Sequence, residues 1–304
     1  MAPKIVVVGS FNADLTAYME RMPRPGETVH GRRFITGPGG KGSNQAIAAA
    51  RLGAEVTFVG RIGRDVFAPL ALNLWEEEGV NADYVVQDPE SSTGVAPIFV
   101  DDTGENSIVV VLAANLAVSK EDVDRAKDVI ADADIMMTQL EIDYETVGYT
   151  LKVANEVGVR TILNPAPAGQ LALEYVQLVD YLTPNETELE VLSRMPDASI
   201  EDAARSLITS EGQAVIVTLG PQGARYVGKD GTKLVPSYKV DVVDTTGAGD
   251  AFNGGLAVAL AEGKSAMDAI DFANAAAALC VTRPGAAKSM PRREEVEALL
   301  ASSG

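Results

Sequence analysis

The stretch Asp244-Thr-Thr-Gly-Ala-Gly-Asp-Ala-Phe-Asn-Gly-Gly255 reads as a strand end (Lys239 to Val243), a Gly-rich turn and the start of a helix of small and apolar residues (Ala248 to Leu260). A strand that turns through glycines into a helix is the repeating joint of an α/β protein. N–H groups in the first turn of such a helix lack a carbonyl partner within it and carry partial positive charge, so an anion settles there. Gly247 and Gly249 let the backbone approach a ligand with no Cβ in the way, and Asp250 sets a carboxylate beside the same spot. An anion cradle with a base next to it suits phosphoryl transfer to a hydroxyl. An ordinary turn with a capping aspartate would use the same residues, so this stretch alone leaves both readings open.

Composition narrows the choice. A chain of 304 residues can form one large α/β domain with a small accessory element. With 46% apolar but only 5% aromatic residues, its core must be aliphatic, as in a parallel sheet covered by helices. A formal charge of -18 argues against nucleic acid or an anionic membrane as partner, since both are bound through Lys and Arg. One cysteine, Cys280, excludes an internal disulfide framework, and one histidine, His30, leaves no His/Cys zinc set. The N-terminus shows no signal-peptide pattern and no apolar run is long enough to span a membrane, so a soluble, cytoplasmic protein is expected.

Upstream of the decisive stretch, Lys4 to Val8 reads as a buried first strand ending at Gly9-Ser10. Asn12 and Asp14 follow where α/β sheets bind ligands, at the carboxyl edge; they suit a polyhydroxylated substrate, or are plain loop residues. Gly26 to Thr36, Thr93 to Val100 and Asn106 to Leu112 break the strand and helix alternation, the last two joined through the hairpin connection Asp101 to Glu105. They predict a small β-sheet acting as a lid, which would keep water from a phosphoryl donor, or serving dimer contacts. The expected division is a core of residues 1–11, 37–92 and 115–304 with a lid of 12–36 and 93–114.

Gly37-Pro-Gly-Gly-Lys-Gly-Ser-Asn-Gln45 opens a helix running to about Leu52. Its glycines match G-x-G-x-x-G, but they do not follow the first core strand, and a Walker loop fails because Gly42 stands where Ser or Thr belongs. What remains is a helix N-terminus presenting Lys41 and Asn44. Further strand ends carry Glu141 (after Ile135 to Thr138), Asn164-Pro-Ala-Pro167, Thr183-Pro-Asn-Glu-Thr-Glu188 and Thr218-Leu-Gly-Pro-Gln-Gly223. Asn185 and Glu188 form a capping-box pattern, and the same pair can organise waters around Mg²⁺. Helices are expected over Asp65 to Glu78, Lys120 to Ile130, Thr146 to Val157, Ser265 to Val281 and Arg293 to Leu300.

Taken jointly, Gly37 to Ala46, Asp244 to Gly254, Gly-Ser-Phe-Asn-Ala-Asp14, Asn-Pro-Ala-Pro-Ala168 and Thr183 to Glu188 resemble the ribokinase branch of the PfkB carbohydrate kinase family over essentially the whole chain. The resemblance implies a three-layer α/β fold with a central, mostly parallel sheet and a β-sheet lid. It also implies ATP-dependent phosphorylation of a sugar hydroxymethyl group, D-ribose foremost. Asp250 would match the family's base and Gly247, Ala248 and Gly249 its anion hole. Asn12, Asp14, Gly40, Lys41, Asn44 and Glu141 match sugar-holding positions; Asn185, Thr218, Gly220, Gly223, Gly249 and Asn274 match nucleotide contacts. Glu188 matches the acidic residue tied to Mg²⁺ use, and Asp244, Thr246, Cys280, Arg283, Gly285 and Ser289 fit an activating K⁺ site. A homodimer formed through the lid is implied as well. At Ala113-Ala114-Asn115 the chain departs from the family's common Gly-Ala-Asn, which bears on the lid hinge. The competing functions are a deoxyribokinase, nucleoside kinase or other sugar kinase of the same fold, a non-catalytic sugar-binding regulator, and a dinucleotide-dependent oxidoreductase.

Overall fold

The computed structural model describes residues 1–302. The first strand, β1 (Lys4–Val8), is a β-branched run buried on both faces. Ile5 and Val7 point into one apolar layer and Val6 and Val8 into the other, so helices must cover both sides. Strand β2 (Asn12–Met19) and β3 (Gly31–Gly39) leave the core before α1 (Lys41–Arg51) returns to it. There follow β4 (Glu55–Gly63), α2 (Ala68–Glu77), β5 (Asn81–Asp88), and the excursion β6 (Gly94–Val100) and β7 (Asn106–Ile108). The alternation then runs through α3 (Lys120–Arg125), α4 (Lys127–Ala131), β8 (Ile135–Gln139), α5 (Tyr144–Glu156), β9 (Arg160–Asn164), α6 (Leu173–Val176), β10 (Tyr181–Leu182), α7 (Glu186–Ser193), α8 (Ile200–Leu207) and β11 (Ala214–Thr218). A β12 (Ala224–Gly228) and β13 (Gly231–Val235) hairpin precedes α9 (Ala248–Ala261), α10 (Ala266–Cys280) and α11 (Arg293–Ser302).

Among the described residues, nine strands form the core sheet in the order β13-β12-β11-β10-β9-β8-β1-β4-β5. The pairs from β11 through to β5 are parallel and the β11, β12 and β13 pairs antiparallel. A separate sheet of order β3-β2-β6-β7 carries the excursion. The expected three-layer α/β architecture is therefore present. The chain leaves β1 for β4 on one side, and β8 and β9 lie on the other, which opens a crevice at the carboxyl ends of these strands.

Small residues let the helices over that crevice approach closely. A Cβ on Gly254 of α9 would come within 2.5 Å of the Ala48 Cβ of α1, and one on Gly255 within 3.1 Å of the Ala273 Cα of α10. This contact sets the N-terminus of α1 against that of α9. No helix of the described residues is long and apolar enough to cross a membrane.

Several local expectations are corrected. Lys239 to Val243 is not a strand: no neighbouring strand supplies its hydrogen bonds, Val242 and Val243 are exposed, and Val243 N–H instead donates to Val281 O at 2.8 Å. Asn12 and Asp14 lie in β2 rather than in a loop, and Gly37 to Gly39 close β3 rather than opening a helix. The helix expected from Lys120 breaks at Ala126, and the strand expected over Asn106 to Leu112 ends at Ile108, with only a bridge between Val111 and Val95 beyond it.

Candidate active site

Gly247 enters α9 with φ 79°, a conformation open to glycine, and Gly247, Ala248 and Gly249 line a cavity of 220 Å³ with Asp250, Lys41, Asn185 and Glu188. A Cβ added to Gly249 would meet no protein atom within 4 Å, so the backbone there is bare toward the cavity. The Ala248 N–H already donates to Thr245 O at 3.3 Å, which leaves the neighbouring first-turn N–H groups better placed to meet an anion.

Asp250 is buried, and its two oxygens are held by successive residues of α1. Asn44 Nδ2 donates to Oδ2 at 2.9 Å, and Gln45 Nε2 donates to Oδ1 at 3.1 Å. Burial pushes its carboxyl up to about 6, helped by Glu141 and opposed by Lys41, Asn44 and Gln45. A carboxylate near neutrality within a polar, desolvated site is suited to accept a proton. The Lys41 ammonium is disfavoured by burial, but Asp250, Glu141 and Glu188 outweigh this and raise its pKa.

Glu141 ties three chain segments together. Its Oε2 accepts from Ser10 Oγ at 2.5 Å, from Lys41 N at 3.0 Å and from Asn12 Nδ2 at 3.4 Å. Asp14 lies beside Gly39, where a Cβ would collide with its carboxylate; burial, Glu141 and Asp250 push it up to about 7. Gly40 sits at φ 88°, and a Cβ there would fall 2.6 Å from Asn12 N. The structure thus brings Asn12, Asp14, Gly40, Lys41, Asn44 and Glu141 into one polar cluster next to Asp250. Asn12, Asp14 and Glu141 do not line the 220 Å³ cavity; cluster and cavity meet at Lys41 and Asp250.

A second cavity of 740 Å³ shares Asn185, Thr218, Thr245, Ala248 and Gly249 with the first. Gly220, Gly223, Tyr238, Val242, Phe252 and Asn274 also line it, giving an apolar slot of the kind a planar base fills. Gly220 and Gly223 have φ of 54° and 99°, as their turn requires. The Asn274 amide is committed to the protein, donating to Val235 O at 3.0 Å and Pro236 O at 3.2 Å, so it shapes the slot's wall.

Asn185 and Glu188 do form a capping box: Glu188 N donates to Asn185 Oδ1 at 2.8 Å, and Asn185 N to Glu188 Oε2 at 2.9 Å. Burial raises the Glu188 carboxyl, with Asp250 adding and the Asn185 N–H and Lys41 opposing. Among the described residues no group of three or more His, Cys, Asp or Glu could hold a metal.

Behind the cradle, Asp244 Oδ1 accepts from Thr246 N at 2.9 Å and Thr246 Oγ1 at 2.6 Å, and its Oδ2 from Gly285 N at 2.8 Å. Burial works against the Asp244 carboxylate, but these donors win and its pKa is lowered. Arg283 pairs with Glu295, and Arg283 N donates to Cys280 O at 3.2 Å. Ser289 Oγ donates to Ala286 O at 2.7 Å and lies 3.0 Å from Cys280 Sγ. The Asp244 carboxylate thus ties the turn before α9 to the loop after α10.

Sequence reasoning assigned no role to Gln45, Ser10, Thr245, Asn253 or Asn115. A signal existed for Gln45: it is an amide in a helix buried almost throughout, and a buried amide needs partners.

The chain matches the model of the pfkB family carbohydrate kinases over residues 2–293. It is 43% identical to the ribokinase of Bacillus subtilis strain 168, covering 97% of this chain and 99% of that one. It is 40% identical to the deoxyribokinase of Salmonella typhimurium, covering 96% of each. The structure of Arabidopsis thaliana ribokinase complexed with ribose and ATP superposes with a TM-score of 0.90 at 36% identity, over 99% of both chains.

Proposed function

The chain belongs to the pfkB family of carbohydrate kinases, and on that premise we propose that it transfers the terminal phosphoryl group of ATP to the hydroxymethyl group of D-ribose. The observation that carries this reading is the buried Asp250 where the polar cluster meets the first cavity, which shares the adjacent Gly249 with the second. The sugar lies among Asn12, Asp14, Gly40, Lys41, Asn44 and Glu141, and the nucleotide lies along Asn185, Thr218, Gly220, Gly223 and Asn274.

In the reaction, the sugar hydroxyl gives its proton to Asp250 as its oxygen forms a bond to phosphorus and the bond to the ADP oxygen breaks. The N–H groups around Gly247 to Gly249 stabilise charge on the transferred group, and Lys41 adds a fixed positive charge. Glu188 and Asn185 are the residues that would hold a Mg²⁺ ion accompanying the nucleotide, which would supply positive charge against the phosphates. K⁺ held by oxygens of Asp244, Thr246, Cys280, Arg283, Gly285 and Ser289 would steady the loop behind the cradle. The small sheet, residues 12–36 and 93–114 with the end of β3, serves as lid. Its exposed apolar residues Phe34, Ile108, Val109, Val110 and Val111 favour pairing of two copies.

A second acceptor, 2-deoxyribose, is favoured by the deoxyribokinase relative, whose identity is close to that of the ribokinase. ADP release measured over pentoses, hexoses and nucleosides, with and without K⁺, tests the proposal. D-Ribose should be turned over fastest and K⁺ should accelerate it. Silence with every sugar would overturn kinase activity, and faster turnover of 2-deoxyribose would change the substrate.

A further inference from the structure

Gln45 is wholly buried, and every hydrogen-bonding position of its amide that the protein can reach is assigned. Its Nε2 donates to Asp250 Oδ1 at 3.1 Å and to Asn164 Oδ1 at 3.1 Å, while its Oε1 accepts from Gln139 Nε2 at 2.7 Å. The amide cannot turn over, because its oxygen would then face both the Asp250 carboxylate and the Asn164 oxygen. Asn164 is fixed in turn, since its Nδ2 donates to Thr183 O at 3.0 Å. Thr183 Oγ1 donates to Asn253 Oδ1 at 2.6 Å, and Asn253 Nδ2 donates to Gly249 O at 2.8 Å. A chain of amides and one hydroxyl therefore runs from the base along the wall of the 220 Å³ cavity, through Asn164, Thr183 and Asn253, back to the backbone of the cradle.

Asn44 differs from its neighbour. Its Nδ2 reaches Asp250 Oδ2, but its buried Oδ1 has no protein partner, so an acceptor remains available on the Oδ2 side of the carboxylate. We propose that Gln45 is a positioning residue for Asp250: it holds Oδ1, fixes the rotation of the carboxylate, and leaves Oδ2 as the atom that receives the proton of the substrate hydroxyl. This rests on Asp250 being the base of the kinase reaction.

The charged and titratable groups around Asp250 are Lys41 at the start of α1, Glu141 beyond β8, Asp14 in β2, Glu188 in α7 and Cys280 in α10. Gln45 is a neutral donor among them, and its loss removes an interaction that favours the ionised base.

The test compares Gln45→Leu, Gln45→Glu and Asp250→Asn in the full chain, using whichever pentose is turned over fastest. Gln45→Leu should lower kcat by about tenfold or more, in the range expected for disturbed proton transfer, and leave both KM values within about threefold. The acid limb of its kcat profile should move to higher pH. Gln45→Glu keeps the size and the Gln139 contact but sets a carboxylate against Asp250, so its limb should move further. If Gln45→Leu fails to fold, Gln45→Glu decides. A wild-type acid limb in the soluble variants, whether kcat is kept or reduced alongside stability, overturns the proposal. Activity retained in Asp250→Asn would instead overturn the reading of the base itself.

Discussion

Asn115 Nδ2 donates to Asn12 Oδ1 at 2.9 Å, joining the return from the small sheet to the first residue of β2. The same Asn115 amide also brackets Phe11, accepting from its N–H and donating to its carbonyl, each at 2.9 Å. All of this is buried, so Asn115→Ala strands two backbone groups and frees Asn12. The expected cost is about 2–4 kcal/mol of stability, together with a raised KM for the sugar and a nearly unchanged KM for ATP. Thermal unfolding and steady-state kinetics check this, and an unchanged sugar KM would refute the link to Asn12.

Two residues earlier, Ala113 adopts φ 44°, which an L-residue holds at a cost. Glycine stands at this position in the family pattern that the sequence otherwise follows. Ala113→Gly should therefore raise the unfolding free energy by about 0.5–1 kcal/mol, after the entropy of glycine is subtracted from the relief of strain, and the denaturant midpoint with it. A lower midpoint would show that Ala113 is not strained.

Asp250 must be ionised to accept a proton, and its pKa is raised to about 6. The activity should thus fall roughly tenfold per pH unit below that value and level off above it. Asp250→Asn should lose about a hundred- to ten-thousandfold in kcat while still binding ATP. A pH-independent rate between pH 5 and 7, roughly one unit either side, would speak against Asp250 as the base.

Gly247 and Gly249 should respond differently to alanine. Gly247→Ala meets an unfavourable φ of 79° and the Met290 Cε at 3.0 Å, so it should lower stability by about 1–2 kcal/mol. Gly249→Ala places its methyl in open space, and its melting temperature should stay near wild type while phosphoryl transfer slows by at least about tenfold. Equal loss of stability in both would contradict this division.

Asp14, with its pKa near 7 against a usual 3.8, binds a proton in the folded state at pH values where the unfolded chain has lost it. Its charge therefore costs stability fully above pH 7, less as pH falls, and nothing below the unfolded value. Asp14→Asn should be more stable than wild type at pH 8, with the difference fading by about pH 4, and should bind sugar more weakly. Unfolding curves at the two pH values, paired with sugar KM, test both parts.

The motifs around Gly37 to Gln45, Thr183 to Glu188 and Asp244 to Gly255 were sufficient for the α/β fold and the kinase family, because strand ends, glycine turns and helix starts are local features. Local patterning failed where pairing decides. Lys239 to Val243 has strand-like residues but no partner strand, and Asn12 looked like a loop residue until β3 and β6 paired on either side of β2.

By itself, then, the sequence singled out the residues to which the proposed chemistry is assigned: the glycine cradle, Asp250, Lys41 and the carboxamides at the strand ends. Only the tertiary structure decided how they are held. Asn44 and Gln45 lie more than two hundred residues from Asp250 along the chain, at separations of 206 and 205, yet they hold its two oxygens. That meeting depends on Gly254 packing against Ala48, a contact that no local pattern specifies because it exists only when two helices cover the same face of the sheet.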